Sequence, residues 1–92
     1  MTIVWSAQAI ADLRMIRGYI AEVNPGAAAG VARRILEAVE TLREFPGIGR
    51  PGRMPNTREL VVTGTPYIVP YRVAYGRVEI IAVIHGARTW PN

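Results

Sequence analysis

His85 is the only histidine of this 92-residue chain and Ser6 its only serine, while cysteine and lysine are absent. Ser6 stands where a helix would begin, so a Ser-His-Asp triad is excluded. A lone histidine without cysteine, among seven scattered acids, offers no transition-metal ligand set. The glycines between Pro46 and Arg53 lack the lysine and the strand-then-helix setting of a phosphate-binding loop, so no nucleotide cofactor is indicated. What remains is metal-free chemistry on RNA, or no chemistry. Metal-free RNA cleavage needs a base for the 2′-hydroxyl, a cation for the pentavalent phosphate and an acid for the leaving oxygen. Arg58, Arg72 and Arg88, with His85, Glu59 and Tyr71, are residue types that can supply those roles from neighbouring strands. The alternative assignment gives Arg58 and Arg72 to ion pairs with strand carboxylates such as Glu79, and His85 to a strand-end cap. It weighs about twice as much, because strand-borne ion pairs are commoner than catalytic ones.

The elements that must position these residues follow from spacing. Thr2–Trp5 is a short β-type run, and Ser6 is placed to cap a helix over Ala7–Val23. Ile10, Leu13, Ile16, Ile20 and Val23 recur at three-and-four spacing and predict one buried stripe, with Arg14 and Arg17 in solvent. Asn24-Pro25 stops that helix and starts another, from about Gly26 to Glu44, with Val31, Ile35, Val39 and Leu42 inward. So short a link predicts an antiparallel helical hairpin. Three Pro and three Gly between Phe45 and Asn56 predict an exposed loop, which would present Arg50 and Arg53 to a partner. Three strand-like runs follow: Thr57–Thr63, Tyr67–Ala74 and Val78–His85. With Tyr75 and Gly76 at the hairpin tip, Val73 faces Val78 and Arg72 faces Glu79. Pro70 removes a ladder donor, which predicts a bulge or an unpaired edge beside it.

Period-two alternation divides the second and third strand runs into two faces. Tyr67, Val69, Tyr71, Val73, Val78, Ile80, Ala82 and Ile84 form one; the other mixes Ile68, Ile81 and Val83 with Arg72, Arg77, Glu79 and His85. Two helices cover one face only, so the second is expected to remain a mixed apolar and arginine-rich groove for a protein partner.

Composition bounds the class. The chain is expected to be one domain, half of its residues apolar, with a thin core that buries about 60–65% of the unfolded surface. No apolar run reaches the ~20 residues of a membrane-spanning helix, and Met1–Ala11 does not read as a signal peptide. A net charge of +4 points to an acidic partner, either nucleic acid or protein. That all eleven cations are arginine reflects base composition first, and bidentate phosphate or carboxylate recognition second.

Read end to end, the chain resembles the ParE/RelE superfamily of bacterial type II toxins, in its ParE-like branch. The resemblance is carried by Trp5, Ala9–Leu13, Tyr19-Ile20, Asn24–Ala28, Leu42–Pro46 and Gly49-Arg50, then Thr57–Val61, Thr65–Val69, Tyr71–Val73, His85–Arg88 and Trp90-Pro91. It implies an α+β fold, an N-terminal strand and a two-helix hairpin packed on a small twisted antiparallel sheet. RelE-like members are ribosome-dependent messenger-RNA endonucleases. Their central basic positions fall here at Glu59, Val61 and Ile68, their late arginine at Arg88, and their terminal tyrosine beyond Asn92. Most of that machinery is missing. ParE-like members inhibit DNA gyrase, so the resemblance implies a cytoplasmic, growth-inhibiting toxin without cofactor. Its partner would be a ParD-like antitoxin whose acidic, apolar C-terminal segment covers the groove in a hetero-oligomer. Antitoxin contacts are then expected at Ile68, Arg72, Ile81, Val83 and Arg58, and target contacts at Arg50, Arg53, Arg88 and Trp90. For the ribonuclease alternative the candidates are Arg58, Arg72, His85 and Arg88.

Overall fold

The structure is a computed structural model and describes residues 1–88, 90 and 91. Local chemistry sets the helix ends. Ser6 Oγ accepts from the Ala9 amide at 3.0 Å and opens α1 (Ala7–Val23). Asn24 closes α1 and opens α2 (Pro25–Glu40), its side chain accepting from the Ala27 amide with Pro25 in the first turn. A single 3-10 turn, Thr41–Arg43, extends α2 and buries Leu42, so the second helix stops four residues before its expected end. The two helices form the antiparallel hairpin. On α1 the buried line is centred on Ala9, with Leu13, Ile16 and Ile20 half-buried. Ile10 and Val23, expected on that stripe, are largely exposed. Ile10 is turned about 100° from Ala9, and Val23 sits in the uncovered last turn. Along α2, Ala28, Ala32, Ile35 and Val39 face inward.

The sheet has six strands: β1 (Thr2–Trp5), β2 (Arg50–Pro51), β3 (Arg58–Val61), β4 (Tyr67–Ala74), β5 (Arg77–Ile80) and β6 (Ile84–His85). Their order is β1-β5-β4-β3-β2, and β6 pairs with β4 beyond the end of β5. β1 runs parallel to β5, so the sheet is mixed rather than wholly antiparallel. β2 is a two-residue strand inside the predicted loop, paired to Arg58 and Glu59. The hairpin register is the expected one, Arg72 opposite Glu79 and Val73 opposite Val78. Tyr75 and Gly76 at its tip have φ +56° and +72°, the signature of a type I′ turn.

A bulge lies opposite Pro70. Between the pairs Tyr71–Ile80 and Ile68–Ile84, β4 advances three residues and its partner four. One extra residue inverts the alternation. Val78, Ile80 and Val83 therefore enter the helix-side core, whereas Ala82 and Ile84 turn to the opposite face with Ile68. The main core gathers Ile35, Val39, Leu42, Val69, Tyr71, Val78 and Ile80 between helices and sheet. The Tyr71 hydroxyl donates to the Pro46 carbonyl and accepts from the Gly49 amide, each at 2.8 Å. Only glycine fits there, since a Cβ at position 49 would meet that hydroxyl at 2.5 Å.

Candidate functional site

The face of the sheet away from the helices is built in rows. Val4, Glu79 and Arg72 stand side by side across β1, β5 and β4. Arg72 Nε donates to Glu79 at 2.5 Å, and Arg77 approaches the other carboxylate oxygen at 2.9 Å. These bonds, Arg72 first, hold the Glu79 carboxyl below the usual carboxylate range. With Ser6, Met54 and Ile81, this row lines a groove of about 470 Å³.

The next row is Arg50, Glu59 and Pro70, with the Ile81 amide donating to the Pro70 carbonyl. Glu59 is 2% exposed. Its carboxylate accepts from Arg50 Nη2 at 3.2 Å and from the Arg53 amide at 3.1 Å, with Arg53 Nε at 3.4 Å. Arg53 then extends to the Arg88 carbonyl at 3.0 Å and the Gly86 carbonyl at 3.5 Å. The Pro/Gly loop is thus folded back over the sheet and tied to the turn that follows the last strand. Beyond it, Trp90 lies against Ile68, Ala82 and Ile84.

The expectation of a wholly open face is therefore corrected. Ile68 is 4% exposed because the C-terminal segment covers it, and Val83 is 2% exposed because the bulge turns it into the core. Arg72 and Ile81 line the remaining groove. Arg58 does not: it pairs in register with the core residue Tyr71, on the helix side, and donates to the Gly49 carbonyl at 2.8 Å. Arg50 and Arg53, read as free for a target, are bound to Glu59.

The same geometry disperses the candidate RNA-cleaving set. Arg58 and Arg72 project from opposite faces, and Glu59 and Tyr71 are buried. Burial pushes the Tyr71 phenol up, against smaller opposing effects from the Gly49 amide and Arg58. His85 pairs with Tyr67 on the helix side, its ring edge-on to the tyrosine at 5.9 Å, and its Nδ1 accepts from the Ala87 amide at 3.1 Å. Arg88 shares its shallow cleft against α1, with Asp12 and Met15. His85 and Arg88 thus line one cleft, while Arg58 and Arg72 stand apart from them and from each other. Among the described residues, no group of three or more His, Cys, Asp or Glu is arranged to hold a metal ion.

Two organising residues escaped the sequence reading. Asp12 accepts from the Val83 amide at 3.0 Å, across 71 residues, and no local pattern announces that contact. The clamp role of Glu59 had a faint signal, an isolated acid on a strand preceded by two loop arginines.

Across residues 3–90 the sequence matches the family described as ParE toxin of type II toxin-antitoxin system, parDE. The chain belongs to that family. Within the wider ParE/RelE toxin superfamily it is 47% identical over 88 residues to a Sinorhizobium fredii protein named as a toxin, Y4kP, covering 96% of this chain and 91% of that one. It is 43% identical over 86 residues to toxin RelE2 of Caulobacter vibrioides, covering 94% and 96%. Among solved structures, a chain of the chromosomal ParDE system from P. aeruginosa superimposes with a TM-score of 0.87 at 28% identity, covering 92% and 95%. A chain of the RelBE2 toxin-antitoxin complex from Mycobacterium tuberculosis, at 23% identity and a TM-score of 0.63, covers 91% and 95% and shares the fold. The helical hairpin on a mixed sheet is thus the ParE/RelE arrangement, and this chain is a type II toxin of that kind. No helix among the described residues is long and apolar enough to cross a membrane.

Proposed function

We propose that this ParE-family toxin acts by binding DNA gyrase rather than by cutting RNA. The carrying observation is the dispersal of the nucleolytic candidates: Arg58 and Arg72 occupy opposite faces, each engaged with a partner inside the fold. A base, a cation and an acid that do not converge cannot share one phosphate. The ParE-family match supports the same reading. Purified wild-type toxin is expected to inhibit supercoiling by purified gyrase, and no inhibition at excess toxin would overturn the reading. One observation favours a ribosome-dependent endoribonuclease as the second reading, namely His85 beside Arg88 in one cleft. Primer extension on translated messages separates the two, since cleavage that disappears in Arg88→Ala would favour the second.

The proposal includes an antitoxin, and the paired toxin-antitoxin system of the P. aeruginosa relative supports it. An acidic and apolar segment would lie along Val4, Met54, Arg72 and Ile81, its acids meeting the Arg72 and Arg77 guanidinium groups. Arg88 and the accessible flank of Trp90 remain in the proposal as target contacts. Ile81→Asp is expected to weaken antitoxin binding roughly tenfold or more, and to disturb folding less. Equal losses in titration calorimetry and thermal melting would sink that assignment.

A further inference from the structure

The tip of the β4–β5 hairpin departs from what folding alone would select. A two-residue loop with both central φ values positive favours Asn-Gly or Asp-Gly. Gly76 suits its position, but Tyr75 holds φ +56° with a full aromatic side chain. There its Cβ crowds its own carbonyl oxygen, a contact that asparagine tolerates far better. Packing within the chain does not compensate. Tyr75 is 89% exposed, the highest value among the exposed large apolar side chains. The backbone therefore acts against the folded state and the ring supplies no packing to offset it, a combination that marks functional positions.

The surroundings indicate what such a ring is for. Val73, two residues before it, is itself 41% exposed. Arg72 and Arg77 flank the tip and share the single carboxylate of Glu79, leaving one positive charge in excess. Tyrosine and arginine dominate binding energy when an anchor sinks into a pocket and water is excluded around it. The tip is convex and only two residues wide, so it offers neither groove nor strand edge to an extended antitoxin segment. A nucleic-acid strand approaching the two arginines would meet the Glu79 carboxylate between them. A concave site on a folded protein, apolar within and acidic at its rim, matches the shape and the charge.

We propose that Tyr75 is the anchor by which this toxin enters a pocket on its protein target, with Arg72 and Arg77, which the antitoxin's acids occupy in the neutralised complex, meeting the rim in the antitoxin-free toxin. This rests on the chain acting as a toxin through a protein target, and not on which protein that is. Tyr75→Asn relieves the backbone and removes the ring, so the variant is expected to melt about 4 °C higher. It should require at least tenfold more toxin for growth arrest and bind antitoxin as wild type does, while Tyr75→Phe retains the arrest. Undiminished arrest by Tyr75→Asn overturns the proposal, and so does a lower melting temperature. An equal loss of antitoxin affinity overturns it by making the tip an antitoxin contact, and DNA binding lost with the ring does so by making it a nucleic-acid contact. Supercoiling assays separate this proposal from the gyrase reading. If wild type arrests growth without inhibiting gyrase and Tyr75→Asn does not arrest, the anchor stands and the gyrase reading falls. If both chains inhibit gyrase alike, the anchor alone falls.

Discussion

A carboxylate taken out of water must recover its hydrogen bonds from the protein. Glu59 does so with the Arg53 amide and the Arg50 guanidinium, and the Arg53 guanidinium stands beside it as an ion pair, all from the loop that precedes its strand. Truncating it removes the acceptor and leaves Arg50 and Arg53 without their shared anion. Full burial of such a pair would make the loss 3–5 kcal/mol, and because both arginines retain contact with solvent, Glu59→Ala is expected to cost about 2 kcal/mol. Urea denaturation measures it, and limited tryptic proteolysis after Arg53 should accelerate as the loop loosens. In sequence, an acid on a β-strand reads as a solvated or catalytic group, and loop arginines read as groups offered to a partner. Both readings fail for one reason: the loop returns to its own strand, and only the pairing of Arg50 with Glu59 reveals it.

At the scale of the elements, the β4–β5 hairpin carries a charge network whose contribution depends on pH. Glu79 titrates below the ordinary glutamate value in the folded chain, owing first to Arg72 and then to Arg77. Its unfolded value is higher, so the stabilisation is complete above that value and is lost as pH falls through the lower, folded one. Gln stands in for the protonated carboxyl, so Glu79→Gln should flatten the acid limb of a melting-temperature profile by lowering its neutral plateau towards the acid level, which thermal melts between about pH 2 and 7 would display. This hairpin was legible in advance because its register depends on a two-residue tip and on cross-strand neighbours close in sequence. The helix boundaries were legible for the same local reason, through the side-chain caps Ser6 and Asn24. Face assignment beyond Ile80 was not. Pro70 signalled an irregularity, but which strand gained a residue, and hence that Val83 goes inward and Ala82 outward, depends on how two strands meet. β2 was missed because two residues, one of them proline and with glycine on either side, have no strand preference of their own.

Over the whole molecule, the sheet is covered on both sides by different means: two helices on one, and on the other a folded-back loop and the C-terminal segment. Trp90 closes the smaller cluster of Ile68, Ala82 and Ile84. Because Trp90 is only partly buried, Trp90→Ala is expected to cost about 2 kcal/mol rather than the 3–5 of a fully buried tryptophan. The check is a lowered urea midpoint together with dye binding at the newly exposed Ile68. The sequence pattern could place neither layer of that second cover, since both are held by contacts between distant segments. The longest such contact joins the two ends of the fold: β1 pairs with β5, and Ser6 bonds to the Ile80 and Ile81 carbonyls, the latter 75 residues away. This has a consequence in time. At ordinary synthesis rates, Ile81 leaves the ribosome's catalytic centre about 4–15 s after Ser6. Until then β1 has no strand to join and the helices have no finished sheet to cover. A nascent or prematurely terminated chain therefore lacks its native architecture, and no new molecule can present the native groove to a partner until β5 has been made.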